Sequence, residues 1–284
     1  MAGPEWLFGP AGDLRPLPPP EGGVVNSVDR FGGIHTAING GRTVDVLGYR
    51  ARYEFELPFV PEDEYFRLEA LYTLAEPRSL KLIDPMRRNL LSRDASMARP
   101  ADATQRGLYT DMASHLAWPR IPDSPVSWTT RGAGWTGFGP DSFLRFDRGN
   151  RVPVNGQSQL TFSVYLKASV ELEVDISLGA FIDNTETDPV PGVQELLPAG
   201  EWVRVEHVFD VPVGLHEVSP DLRVVSAEVP TGAYLQVMTP QLEYGDEATA
   251  PALGGGAITV AIEDMQTVSP RYPYQSVSLT LLEV

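Results

Sequence analysis

The chain has 284 residues, 42% hydrophobic and 21% charged, with 22 Lys+Arg against 38 Asp+Glu for a formal net charge of −16. That hydrophobic share excludes wholesale disorder, and the length is about that of two ordinary domains. Cysteine is absent, which excludes disulfides, zinc–thiolate sites, iron–sulfur clusters and thiol catalysis, and the acidity argues against a general nucleic-acid surface.

No run of about 18 apolar residues occurs, so no membrane span is expected. Met1–Trp6 lacks the basic-then-apolar order of a secretory signal. The first 30 residues are rich in Pro and Gly, with Pro16-Leu17-Pro18-Pro19-Pro20 as a stiff extended stretch. Trp6 and Phe8 ahead of it could dock this arm on a neighbour, or the arm could be a mobile tail; both readings stand open. From Val24 to Phe59 the pattern is β, with turn signals at Gly32-Gly33 and at Asn39-Gly40-Gly41, the latter able to close a hairpin. Tyr49, Ala51, Tyr53, Phe55 and Leu57 alternate with charged residues, which predicts a half-buried strand ended by Pro58.

One helix is predicted after it. Glu62-Asp63-Glu64 supplies the acidic first turn that the helix dipole favours, Phe66, Ala70, Leu71 and Leu74 follow at helical spacing, and Pro77 stops the pattern. Leu80–Pro85 reads as a short buried strand that runs on into Met86–Ser92. Residues 93–125 are polar, carry Pro100, Pro119, Pro122 and Pro125, and read as a long connection. Beyond Val126, strands are expected at Ser142–Asp147, Gln159–Ala168, Glu171–Ile182, Trp202–Val211, Leu222–Val229 and Tyr234–Glu243, with a bulge near Glu206-His207. Such recurrence with Pro/Gly turns argues for an antiparallel sandwich. Gly254-Gly255-Gly256 reads as a hinge, followed by strands Ile258–Ile262 and Gln275–Val284 that must pair with an earlier unit.

Charge supports a split first domain. Residues 1–95, 96–255 and 256–284 carry −3, −11 and −2, so the two ends resemble each other and differ from the middle. The expected fold is mainly β: a split β-rich domain of residues 1–95 with 256–284 and one short helix, a lead-in at 96–125, and an inserted antiparallel jelly-roll β-sandwich at 126–255.

Motifs for chemistry are sparse. His35, His115, His207 and His216 form no His-x-x-x-His pair, which makes a zinc-hydrolase site improbable. No Gly-x-Ser-x-Gly elbow and no phosphate-binding loop with Lys is present. Gly132–Gly137 matches Gly-x-Gly-x-x-Gly in spelling but bridges no strand and helix of a βαβ unit, so dinucleotide binding is rejected. Paired carboxylates for glycoside hydrolysis are a spatial property that the sequence does not display. The densest oxygen cluster holds Asp183, Glu186 and Asp188, which reads as a calcium loop or as a solvated turn. Trp118, Trp128, Trp135 and Phe138 gather at the entry to the sandwich, either as faces that stack on sugar rings or as core. Apart from calcium, no cofactor is expected.

A resemblance joins these pieces. Ser27-Val28-Asp29-Arg30-Phe31-Gly32-Gly33, the Tyr49–Leu57 strand, the short helix and Leu82–Ser92 resemble the ring domain of siphophage distal tail proteins and related minor tail proteins. Arg88-Asn89-Leu90-Leu91-Ser92, with Arg87 before it, is similar to stretches in actinobacteriophage tail proteins, and Tyr274–Val284 looks like the strand closing the same domain. Pro240–Pro251 resembles the last strand and exit of the carbohydrate-binding-module-like jelly rolls that phage tail proteins carry. The resemblance implies a structural virion component of a long non-contractile tail: a homo-oligomeric, hexameric ring joining the tail tube to the tail tip, assembled in the host cytoplasm. Its partners would be the tail tube protein and the tail-tip or baseplate hub proteins, with DNA only in transit through the lumen and no membrane. Tyr49, Arg50, Arg52, Arg87 and Arg88 are the candidate subunit contacts. The sandwich would face outward, where it could contact host cell-wall glycan. A free-standing glycan-binding module is the alternative expectation, and a cell-wall hydrolase the weakest.

Overall fold

The computed structural model describes residues 5–31, 34–36, 42–44, 48–74, 79–101, 106–111, 114–271 and 273–284. In chain order it begins with β1 (Leu7–Pro10), β2 (Arg15–Pro16), β3 (Val25–Phe31), β4 (Ile34–Thr36), β5 (Arg42–Val44) and β6 (Gly48–Val60). Helix α1 (Glu62–Tyr72), β7 (Leu80–Ile83) and the short α2 (Arg93–Ser96) follow. Then come β8 (Leu108–Thr110), β9 (His115–Ala117), β10 (Ala133–Thr136), β11 (Phe143–Phe146), β12 (Val152–Pro153), β13 (Gln159–Ala168) and β14 (Leu172–Ile182). The remaining strands are β15 (Thr185–Leu197), β16 (Val203–Asp210), β17 (Glu217–Val224), β18 (Tyr234–Tyr244), β19 (Ala257–Arg271) and β20 (Tyr274–Glu283). Two compact units result: Met1–Pro10, Arg15–Leu82 and Thr259–Val284 form one, Ala11–Leu14 and Ile83–Ile258 the other.

The first unit is a seven-stranded sheet in the order β2-β1-β7-β19-β20-β6-β3. The alternation read on β6 is realised: Ala51, Tyr53, Phe55 and Leu57 are all buried. Trp6 stacks edge-on against Tyr53 and Phe55, with centroids 5.7 and 5.2 Å apart, and Phe8 is fully buried. The proline-rich arm is therefore docked on its own unit's sheet, neither a loose tail nor an anchor reaching for a neighbour. Pro58 does not end β6. It sits where the register against β20 slips, and Phe59 beside it has φ 55°, so a bulge absorbs the missing donor.

Helix α1 starts where its acidic turn predicts, yet it buries Leu68 and Leu71 and leaves Phe66 and Leu74 exposed. The three-residue spacing of the leucines governs packing, and the face assigned from Phe66 was rotated. Strands β4 and β5 pair antiparallel. The turn signals at Gly32-Gly33 and Asn39–Gly41, and the Pro77 stop, lie outside the described residues.

The second unit is a sandwich of a five-stranded sheet, β16-β13-β18-β10-β9, and a six-stranded sheet, β15-β14-β17-β11-β8, with β12 paired to β17. Strand pairing within both is antiparallel. Inward residues interdigitate, as the Phe146–Phe162 ring pair at 5.3 Å shows. The division falls at Leu82/Ile83 and Ile258/Thr259, whereas the sequence reading set it at 95 and 256. Asn89 explains why the segment after β7 belongs to the sandwich. Its amide donates to the Pro240 and Ala252 carbonyls at 3.1 and 2.9 Å, and its oxygen accepts from the Leu91 and Leu242 amides. Residues 96–125, read as a connection, supply β8 and β9.

Strand β15 was not expected, because Pro189, Pro191 and Gly192 break its pattern. It is an edge strand whose register against β14 slips twice, the setting in which Pro is tolerated. Strand β17 begins at Glu217, five residues before the expected start. The register of β16 on β13 is continuous, so no bulge forms at Glu206-His207.

Candidate functional site

Alternation sorts the six-stranded sheet into two faces. On β14 and β17 the residues Val174, Ile176, Leu178, Val218, Leu222 and Val224 are buried against the other sheet. The intervening positions, Asp175, Ser177, Gly179, Ser219, Asp221 and Arg223, turn outward. Register then lines them up across strands: Ser177 opposes Asp221, Asp221 opposes Arg145, and Arg145 opposes Tyr109. The neighbouring row carries Asp175, Arg223 and Phe143.

A groove of about 190 Å³ opens on this face, walled by Phe143, Arg145, Glu186, Pro189 and Arg223, with Gly179 and Asp221 among its lining. Gly179 keeps the floor low: a Cβ there would stand 3.3 Å from Ser219 Oγ and 3.5 Å from Asp221 Oδ2. Arg145 lies 4.6 Å over the Phe143 ring, 3.7 Å from Asp221 Oδ2 and 3.9 Å from Glu186 Oε1. Glu186 is gripped through both oxygens by Arg148. Three buried polar atoms, Arg145 Nε, Asp221 Oδ1 and Ser219 Oγ, have no hydrogen-bond partner among the described residues. Buried polar groups are normally paired, so Arg145 and Asp221 in the groove wall, with Ser219 opposite Gly179 of its floor, make this the candidate binding site.

Electrostatics separates the two carboxyls. Arg148 beside Glu186 holds its carboxyl below the usual carboxylate value. Burial pushes the Asp221 carboxyl up to about 6, against the pull of Arg145, Arg148 and Arg223 and with Glu186 adding to the rise. A raised folded value means that the carboxyl favours the fold below the unfolded value and loses that contribution as pH rises through about 6. Asp221→Asn is therefore expected to be closest to the parent in stability near pH 4 and more stable above pH 7, by on the order of 2 kcal/mol. Urea denaturation at both pH values checks this, and an equal difference at the two would refute it.

The residues singled out in the sequence fall elsewhere. Trp135 points into the sandwich core at 0% exposure and packs on Phe138 with centroids 4.6 Å apart; Phe138 is itself buried. Neither can stack on a sugar, because strand alternation turns Trp135 inward. Trp128 is exposed and donates its indole N–H to the Pro251 carbonyl. Trp118 is half-buried, bonds to the Met97 carbonyl, and lies under the Arg99 and Arg131 guanidiniums at 5.6 and 5.1 Å. Trp202, at the start of the expected strand Trp202–Val211, is half-buried and donates its indole N–H to Asp123.

For the calcium reading, Asp183 sits at the β14–β15 turn beside His216 (3.3 Å), and Glu186 is committed to Arg148. Asp188 lies on β15 itself, and among the described residues no group of three or more His, Asp or Glu could hold a metal. Of the candidate subunit contacts, Tyr49, Arg50 and Arg52 lie on β6 of the first unit, where Arg52 pairs with Glu54 and Glu263. Arg87 and the exposed Arg88 belong to the sandwich unit, with Arg87 bonded to the Gly254 carbonyl and paired with Asp84.

Arg145, Asp221, Ser177 and Phe143 escaped the sequence reading. Their one signal was the polar half of an alternating strand, which is equally the mark of a solvated face.

No protein-family model and no curated protein matches the chain. Solved structures do. The chain is similar to the CBM22-1 xylan-binding domain of Paenibacillus barcinonensis Xyn10C, at 12% identity and TM-score 0.40 over 56% of this chain and 94% of that one. It is also similar to a carbohydrate-binding module of Cellvibrio mixtus lichenase 5A in complex with cellotriose, at 9% and 0.33 over 56% and 97%. TmCBM61 in complex with β-1,4-galactotriose aligns at 13% and 0.37, over 56% and 99%. With identities this low and TM-scores below 0.5, function has to be argued from the chain's own residues.

Proposed function

We propose that the sandwich unit binds saccharide in the groove of its six-stranded sheet. The observation that supports this is the trio of buried, unpartnered polar atoms on Arg145, Asp221 and Ser219 beside the Phe143 and Tyr109 rings, whose centroids are 6.4 Å apart. Sugars offer hydroxyls that both donate and accept, and CH faces that pack on aromatic edges and faces. The groove's 190 Å³ equals about six water molecules, the scale of one sugar ring. Binding fits better than hydrolysis. Glycosidases need two working carboxyls, and Glu186 already has both oxygens on Arg148.

Affinity electrophoresis and calorimetry of the full chain against neutral polysaccharides and isolated bacterial cell wall test the reading; no retention by any of them would remove it, and release of soluble sugar would turn it into a hydrolase. Gly179→Leu places a side chain on the groove floor. It is expected to weaken binding at least about tenfold while thermal melting stays within a few degrees.

We further propose that the first unit assembles this binding module into a phage tail-tip ring, in contact with tail tube and hub proteins. Strand β3 favours assembly, since it is a sheet edge with every residue exposed, including Val25, Val28 and Phe31. Light scattering with negative-stain imaging, alone and with a tail tube protein, should reveal rings; monomers in both samples would count against the role.

A further inference from the structure

We infer that ionised Asp221 and Arg145 together read a vicinal diol of a neutral saccharide, the part-exposed Asp221 carboxylate accepting from one hydroxyl while the Arg145 guanidinium donates to its neighbour. The inference rests on the saccharide reading above and adds to it the contact atoms and the charge class of the ligand.

Asp221 and Arg145 are register partners on adjacent strands, so their heads share one row of the sheet. Arg145 Nε and Asp221 Oδ2 stand 3.7 Å apart, beyond hydrogen-bond length, and each residue keeps a buried polar atom unpartnered. A bidentate pair through Nε would have engaged both atoms. A donor and an acceptor held side by side but apart are satisfied together by a ligand carrying one of each, and two adjacent hydroxyls do that.

The position of the two acids beside Arg145, not the local sum of charge, disfavours acidic sugars. Glu186 from β15 and Asp221 from β17 face the groove, balanced by Arg145 from β11, Arg148 after it and Arg223 on Asp221's own strand. Strand β14 contributes the uncharged Ser177 and Gly179, with Asp175 one row away. A ligand carboxylate that reached Arg145 would meet both acids, and the chain's −16 would repel a polyanion at longer range. A neutral diol incurs neither penalty.

Protonating Asp221 replaces a charged acceptor with a weaker neutral one, so binding should fall as pH drops through about 6. Glu186, held down by Arg148, stays ionised over that range.

The experiment measures dissociation constants of the full chain for neutral glucan, galactan, arabinan and xylan oligosaccharides and for oligogalacturonate, at pH 7.5 and 5.0. The parent should bind at least one neutral oligosaccharide, more tightly than oligogalacturonate, and weaken about tenfold at pH 5.0. Asp221→Asn and Arg145→Gln should each lose about tenfold to a hundredfold at pH 7.5, and Asp221→Asn should show no further loss at pH 5.0. Circular dichroism and melting temperatures establish that both variants are folded. If the parent binds neutral sugar while both folded variants bind as well as it does, the inference falls and the saccharide reading survives. Tighter oligogalacturonate binding, or a pH effect that persists in Asp221→Asn, overturns it in the same way. Failure of the parent to bind any saccharide removes both.

Discussion

Asp147→Ala is expected to lower the stability of the sandwich unit by about 3–5 kcal/mol, because it cuts a buried network rather than a single contact. The Asp147 side chain is 1% exposed. One oxygen accepts from the Ser92 amide at 2.6 Å, and the other from the Ser92 hydroxyl at 2.7 Å and the Gly107 amide at 3.3 Å. Ser92 in turn caps α2 by accepting from the Ala95 amide, and Asn150, 3.4 Å from the carboxylate, ties down the Ala257 carbonyl. Removing the carboxylate leaves these donors buried without a partner. Backbone strain adds to the loss, as Asp147 has φ 60°, a region that Asp and Asn adopt more readily than Ala.

Burial pushes the Asp147 carboxyl up from its ordinary value, with the four donors pulling the other way. Asp147→Asn, which tolerates the same backbone, should therefore cost less than Asp147→Ala, and its cost relative to the parent should grow as pH is lowered, because a carboxyl with a raised folded value favours the fold most when protonated. Tryptophan fluorescence during urea denaturation reads the change well, since Trp118, Trp128, Trp135 and Trp202 all lie in the sandwich unit. An alanine variant whose midpoint matches the parent would show that the network carries no net stability.

The second large effect belongs to Trp135. Trp135→Ala should destabilise the sandwich by about 3–5 kcal/mol by opening a cavity between the sheets, at the row where Trp135 opposes the fully buried Leu235. Trp135→Phe should cost far less, because the indole N–H has no hydrogen-bond partner among the described residues and its removal relieves an unpaired donor. Saccharide binding should survive in every folded Trp135 variant, since the groove lies on the outward face of the opposite sheet. A folded Trp135→Phe protein that lost binding while melting like the parent would contradict this placement.

The alternating segments were legible because alternation is a local property. Ala51-to-Leu57 on β6, all of β13 and nearly all of β14 declare a buried face through neighbours two residues apart, and the structure buries those faces. Strand β15 was hidden by its prolines and glycine, which read as loop until an edge position and two register slips make room for them. The segment around Asn89 was legible as a motif but assigned to the wrong neighbour. Its amide bonds reach residues more than 150 positions away, and no periodicity reports such a distance.

The candidate site shows the same boundary. From its sequence the protein had a mainly β fold, acidic surfaces, no thiol chemistry and a set of aromatic residues near one sandwich entry. Only the tertiary structure decided which aromatics face water. Trp135 and Trp128 look alike in sequence, yet strand phase sends Trp135 into the core while Trp128 sits in a bend between strands and stays exposed. Likewise, Tyr109, Arg145, Asp221 and Ser177 stand on four strands spread over 113 residues, and the register of three antiparallel pairings places them in one row. Side-chain direction is set by each strand's own alternation, while adjacency between strands is set by hydrogen-bond register, so a groove drawn from four strands exists only once the sheet has formed.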